Sequence, residues 1–332
     1  MATPKSDTIC DIDQASTISP PEQSSSSVSE CADTFVFVDV DGVLNVAVTS
    51  GLFYVNKDNI DRLEIMRKSN AEALQKEAAK RLLAACSRTV EGDDMTYLDI
   101  CKNSTLFVEL FVERLAKIIH AAGSSAKIVL SSTWRHPNFA NRLQALESKL
   151  SQCLGSPFTF EHKTGPVEDK AGGERLWDIA EYLEEHCLSK FAKVLVLDDF
   201  NCSSLNWSCN GQVITSAQDV EMFLAGFLPT STVASIKLIH TYDEWTLGDG
   251  MLMQVGSGIT QKHFHSAMQF LLGEATQGHM IDVSEPVRCY ESDGDEIPVL
   301  DIEDSLLPFE PELQDELPLK NSFELHKKRR CP

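Results

Sequence analysis

The chain has 332 residues, 42% of them hydrophobic and 24% charged, which suits a globular protein of one or two domains. Its formal net charge is −21 and its pI near 4.8. Such a surface repels phosphate backbones at long range and argues against broad nucleic-acid binding, while leaving room for a local basic pocket that takes one phosphate. No apolar run is long enough to span a bilayer. The opening MATPKSDTIC carries no apolar stretch of the kind a secretory signal needs. Ten scattered cysteines without a CxxC pair read as free thiols of a reducing compartment rather than a disulfide or zinc framework. The expectation is an intracellular protein, cytoplasmic or nuclear, with no membrane partner.

Residues 1–32 are rich in Ser, Thr and Pro, with Ser24 to Ser27 in a run, and are expected to be a disordered tail. Phe35 to Val38 then form a short uncharged run of aromatic and β-branched residues, the pattern of a strand buried on both faces. It ends in Asp39 and Asp41. Residues two apart on an extended chain point the same way, so both carboxylates can face one small volume. Their mutual repulsion makes sense if a cation or bound group compensates them, and Gly42 permits the sharp turn that follows.

Residues 45–105 read as an insertion. Val46 to Tyr54 is expected as a hairpin or flap, and one long helix from Asn59 to Ser87 as a small cap, with Ile60, Leu63, Met66, Leu74, Ala78 and Leu82 at helical spacing. A second helix is expected over Leu106 to His120, then a strand over Ala126 to Leu130 that ends in Ser131-Ser132-Thr133-Trp134-Arg135. Helices near Asn138 to Leu150 and Glu174 to Cys187 precede a strand at Lys193 to Leu197, which ends in Asp198-Asp199. Val213 to Thr215 and Ser235 to His240 supply one further strand each, and Gln261 to Leu272 a last helix. Alternating strands and helices predict an α/β domain over residues 33–275, with a parallel sheet flanked by helices. Residues 276–332 mix acids, prolines and isolated apolar residues and are expected to be a disordered tail with a protein-partner segment. The tail ends in the basic run Lys327 to Arg330, readable as a nuclear-import patch or as a solvated terminus. His263 and His265 lie two apart on a helix, point to different sides and read as ordinary.

Three strand ends thus supply chemistry in chain order: Asp39 and Asp41, then Ser131 and Ser132, then Asp198 and Asp199. Lys163, Lys170 and Arg175 are the basic residues available before the last of them. Singly, the serines read as helix caps and the aspartates as turn residues. Side by side at the edge of a parallel sheet, they read as a site.

The string FVFVDVDGVLN resembles the first motif of the haloacid dehalogenase (HAD) superfamily, mostly phosphatases. IVLSSTWR, RLWDI, VLVLDDF and the late GSGIT are similar to one branch, the HAD domain first described in Swiss-Army-knife RNA repair proteins, over roughly Thr34 to Gly273. The resemblance implies a Rossmann-like HAD fold and a Mg²⁺-dependent phosphatase working through an aspartyl-phosphate. Asp39 would be the nucleophile, and Asp41 the acid for the leaving oxygen and then the base for water. Ser131 by preference, or Ser132, would bind the phosphoryl group. Mg²⁺ would lie between the Asp39 carboxylate, the Asp41 backbone carbonyl and an acid from Asp198-Asp199. Arg175 takes the place of the usual third-motif lysine, with Lys170 as the alternative. The substrate is a phosphorylated small molecule, protein or nucleic-acid end. Two departures stand out: the insertion is longer than the branch usually carries, and arginine replaces lysine. Trp134 reads as core in preference to a stacking platform, and Arg135 either binds phosphate or pairs with an acid. The rival reading is a non-catalytic HAD-like module whose acidic tail recruits partners.

Overall fold

The computed structural model describes residues 33–48, 53–165, 172–202, 208–209, 212–230, 232–247 and 250–273. Both expected tails, the Lys327 to Arg330 run and Lys170 lie outside the described residues. In chain order the first elements are β1 (Asp33–Val38), β2 (Ala47–Val48), β3 (Phe53–Tyr54), α1 (Lys57–Lys68), α2 (Ala73–Cys86), α3 (Tyr97–Cys101) and α4 (Glu109–Ala122). Then come β4 (Lys127–Leu130), α5 (Ala140–Leu154), β5 (His162–Lys163), α6 (Gly172–His186) and β6 (Phe191–Asp198). The last are β7 (Ser208–Cys209), β8 (Gln212–Val213), α7 (Ala217–Ala225), β9 (Val233–His240), β10 (Tyr242–Thr246), β11 (Leu252–Gly256) and α8 (Gln261–Leu272).

The central sheet is parallel throughout, in the order β5-β4-β1-β6-β9, with β1 in the middle. Strand alternation divides the core in two. Val36, Val38, Leu130, Leu195 and Leu197 join one cluster with Phe111, Leu115 and Ile118 of α4, Leu146 of α5 and Ala267 of α8. Phe35, Phe37, Val129, Val194 and Val196 face the other way, onto Leu176, Ile179 and Leu183 of α6 and Val220 and Leu224 of α7. Full burial of each such side chain contributes about 1.5–3 kcal/mol, which is why β1 carries no polar residue from Phe35 to the sheet's carboxyl edge.

The expected single helix over 59–87 is two helices. Ser69 ends α1: its N–H donates to Ile65 O and its Oγ to Met66 O, and the same Oγ accepts from Ala71 N–H. A serine that bonds its local backbone competes with the helix ladder, so apolar spacing alone overran the break. Leu63 of α1 and Ala79, Leu82, Leu83 and Cys86 of α2 belong to the same cluster as Val36 and Val38; the insertion therefore packs into the main core.

A second, antiparallel sheet in the order β10-β11-β2-β3 was not anticipated. It ties the flap after β1 to the chain after β9, through Val255 opposite Val48 and Gly256 opposite Ala47. Among the described residues Cys86, Cys101, Cys153, Cys187 and Cys202 are free thiols, and no helix is long and apolar enough to cross a membrane.

Candidate active site

Sheet register brings the strand ends to one level. Val38 lies opposite Leu130 on one side and Leu197 on the other. The ladder continues one residue further: Ser131 N–H donates to Val38 O at 2.8 Å, and Asp39 N–H to Leu197 O at 3.0 Å. Asp39, Ser131 and Asp198 therefore share one row at the carboxyl edge, where open α/β sheets place ligands. Thr164, whose N–H donates to Leu130 O at 3.1 Å, extends that row beside Ser131. The hydroxyls of Ser131 and Thr164 are buried without a hydrogen-bond partner among the described residues. Buried hydroxyls are normally paired, so these two mark a place for an acceptor to arrive. Ser132 differs: its Oγ accepts from Trp134 N–H at 3.4 Å, capping the short turn Thr133–Arg135.

Asp39, Asp198 and Asp199 each offer a carboxylate oxygen within 4.8 Å of the others. Arg175, from the first turns of α6, reaches all three, at 2.6 Å to Asp39 Oδ2, 2.9 Å to Asp198 Oδ1 and 3.5 Å to Asp199 Oδ1. Apart from that Arg175 contact, neither Asp39 oxygen has a hydrogen-bond donor among the described residues, and Asp198 Oδ2 has none either. Burial, then the charge of Asp39, pushes Asp199 up to about 7. Burial likewise holds Asp198 well above the usual carboxylate range, with Arg175 opposing. Burial also works against the Arg175 charge, but Asp198, Asp39 and Asp199 outweigh it and keep the guanidinium more firmly protonated than usual. Crowded, hard carboxylate oxygens, of which Asp198 Oδ2 has no partner among the described residues, are a fitting donor set for a hard divalent cation. Lys163 is exposed on β5, so among the described residues Arg175 is the basic group that meets the carboxylates.

Asp41 lies apart from that cluster. Trp134 Nε1–H donates to both of its oxygens at 3.1 Å, and Asn45 Nδ2–H to Oδ1 at 3.0 Å. Tyr54, from the flap, also hydrogen-bonds to Asp41. Burial first, and the Asp39 charge second, raise Asp41 above the ordinary carboxylate range, against the pull of its Asn45 and Trp134 hydrogen bonds. Two carboxylates two residues apart thus have separate environments: Asp39 beside a cation and without other donors among the described residues, Asp41 among neutral donors. Of the five residues after β4, Arg135 pairs with Asp178 at 3.0 Å with both side chains buried, which decides for the acid-pairing reading. Trp134 is core, as its composition implied, yet its one polar atom serves Asp41. Asn45, Tyr54, Trp134 and Thr164 were not singled out as site residues from sequence.

Residues 35–222, more than half of the chain, match the family described as the HAD domain in Swiss Army Knife RNA repair proteins. The chain belongs to that family. No curated protein matches it, and no solved structure does. Membership supports hydrolase or phosphatase chemistry at the level of the HAD superfamily.

Beyond the matched span, this HAD domain closes its first motif with the GSGIT strap. Gly258 N–H donates to Gly42 O and Ile259 N–H to Val43 O, both at 2.9 Å; Thr241 Oγ1 also donates to Gly42 O at 2.9 Å. Arg114 Nη1 of α4 in turn holds Ile259 O at 2.8 Å. The strap requires bare backbone where it crosses the turn. Gly42 has φ +78°, and a Cβ there would lie 2.2 Å from Asp199 Oδ2. A Cβ on Gly256 would lie 2.2 Å from Gly42 Cα and 2.6 Å from Asp199 Oδ2. Gly256→Ala is therefore expected to cost about 1–3 kcal/mol of stability, the range of an overpacked core, and to displace the Asp41-Gly42 turn. An unchanged denaturation midpoint in guanidinium would contradict that close approach.

Proposed function

We propose that the protein is a Mg²⁺-dependent phosphatase that hydrolyses a phosphomonoester through an aspartyl-phosphate. The observation that carries this reading is the split between Asp39, met among the described residues only by the Arg175 cation, and Asp41, hydrogen-bonded by Trp134 and Asn45 with its proton affinity raised. Such a divided pair suits one carboxylate as nucleophile and the other as acid and base.

Asp39 attacks phosphorus as the bond to the leaving oxygen breaks. Asp41 gives that oxygen its proton, and Trp134 and Asn45 hold the carboxyl in place for the transfer. In the second half, Asp41 takes a proton from water as the water attacks phosphorus, and Asp39 is released with inorganic phosphate. The Ser131 hydroxyl donates to a phosphoryl oxygen, and Arg175 offsets the negative charge that gathers there. Asp39, Asp198 and Asp199 would hold the cation, together with the Asp41 backbone carbonyl. When bound, Mg²⁺ supplies charge neutralisation between the anionic phosphate and the carboxylates.

Hydrolysis of an aryl phosphate, with Mg²⁺ and with EDTA, tests the reading directly. Turnover is expected with the metal and is expected to vanish in EDTA. Mg²⁺ at about a hundred times its Kd should also raise unfolding stability by about 2.7 kcal/mol. A protein that Mg²⁺ stabilises in this way, yet which releases phosphate from no ester in a panel of nucleotides, phosphopeptides and nucleic-acid ends, would be the non-catalytic module instead.

A further inference from the structure

We infer that Arg142, with Phe139 and Tyr54, forms a subsite on the leaving-group side of Asp41 for a second phosphate, so that the preferred substrate is a phosphomonoester whose leaving group is itself phosphorylated. The inference rests on the phosphatase reading, because it takes Asp41 as the acid beside the leaving oxygen.

The residues form a connected wall. Trp134, which donates to both Asp41 oxygens at 3.1 Å, stacks on Phe139 with ring centroids 6.4 Å apart and planes 6° from parallel. Phe139 in turn lies under the guanidinium of Arg142, 5.4 Å from Cζ to the ring centroid. From the other direction, Tyr54 of the flap meets Asp41, and the Arg142 charge lies within reach of the same phenol. Asp41 and Arg142 therefore both act on the Tyr54 phenol. On the phosphatase reading, the group bonded to the oxygen that Asp41 protonates lies against this wall.

Arg142 is also uncommitted. The chain has 50 acidic residues, yet the contact described for Arg142 is the Phe139 ring, and among the described residues no carboxylate pairs with it. By contrast Arg114, Arg135 and Arg175 each hold an aspartate. In so acidic a molecule an unpaired guanidinium held on an aromatic face is pre-organised for an incoming anion. Because the Phe139 ring already meets Trp134 and Arg142, what the wall offers a ligand is the N–H edge of the guanidinium. That planar fork matches phosphate oxygens in pairs. The reacting phosphate has Arg175 beside Asp39, so the two cations divide two phosphates between them.

The probes are α,ω-alkanediols from propane-1,3-diol to hexane-1,6-diol, each as monophosphate and as bisphosphate, which vary the spacing and carry no other recognition group. For the best spacer, kcat/KM is expected to favour the bisphosphate by about tenfold or more, beyond the factor of about two that two reactive ends give by statistics. Arg142→Ala should collapse that ratio toward the statistical value, and Arg142→Lys should restore part of it. The same probes are titrated calorimetrically into Asp39→Asn protein with and without Arg142→Ala, so that the subsite is read without turnover. Failure of the wild type on every ester, with bisphosphate still bound in an Arg142-dependent way, would remove the phosphatase reading and keep the subsite. Bisphosphates bound and turned over no better than monophosphates across the series, or a preference that survives Arg142→Ala, would overturn the proposal.

Discussion

Asp39→Asn is expected to reduce phosphomonoester turnover by about four orders of magnitude or more, with the protein still folded. The amide has the shape of the carboxylate but cannot carry the phosphoryl group, so no binding contact left in the site restores the covalent route. Stability should change by less than about 1 kcal/mol because two effects oppose each other. The substitution removes the Arg175 ion pair at 2.6 Å. It also removes the charge that helps to raise Asp198 and Asp199, relieving a like-charge repulsion within a buried cluster. The chemical check is acid-quench trapping: labelled phosphate should remain on wild-type protein after brief exposure to an ester and be absent from the variant. Retention of more than about a tenth of wild-type turnover in pure Asp39→Asn would remove Asp39 from the chemistry and leave Asp41 as the carboxylate to explain.

Much of the architecture was readable because each site strand is a buried apolar run that stops abruptly at polar residues. Phe35 to Val38 and Val194 to Leu197 can only be central strands, and Asp39 and Asp198 must then stand at the sheet's edge. The partners of those residues were harder. Composition alone does not distinguish Lys163 from Arg175; their difference lies in where β5 ends and α6 begins. Strand β5 has two residues, too few to show a period. Strands β10 and β11 carry Asp243, Glu244 and Gln254 amid their apolar positions, and β11 finds its second partner in β2, some 200 residues earlier. Trp134 was the most instructive case. A large buried ring looks the same in sequence whether or not its single N–H has a task, and only the fold puts Asp41 beneath it. Arg135 was open between two partners until α6 placed Asp178 against it.

Arg175→Ala is expected to lower stability by about 3 kcal/mol in EDTA, by less with saturating Mg²⁺, and to lower turnover by about two to three orders of magnitude. Removing one partner of a buried ion pair strands the other, at about 3–5 kcal/mol. Here three carboxylates would be stranded together. The full cost is not reached, because Asp198 and Asp199 already bind protons more readily than ordinary aspartates and can take one up in place of the lost cation. A divalent ion among the same oxygens would restore more of the loss than protonation does, so the gap between variant and wild type should narrow as Mg²⁺ is added. Turnover should not follow that recovery, since the metal replaces the guanidinium's charge but not its hold on Asp39 Oδ2 or its stacking over Phe200 at 5.2 Å. Arg175→Lys separates the two roles: an ammonium keeps the charge but lacks the fork that reaches Asp39 and Asp198 together. It should therefore recover stability before it recovers rate. Denaturation curves with and without Mg²⁺, beside kcat for both variants, decide the matter. If Arg175→Ala matches the wild type in EDTA and turns over within about threefold, the guanidinium is not what balances these carboxylates.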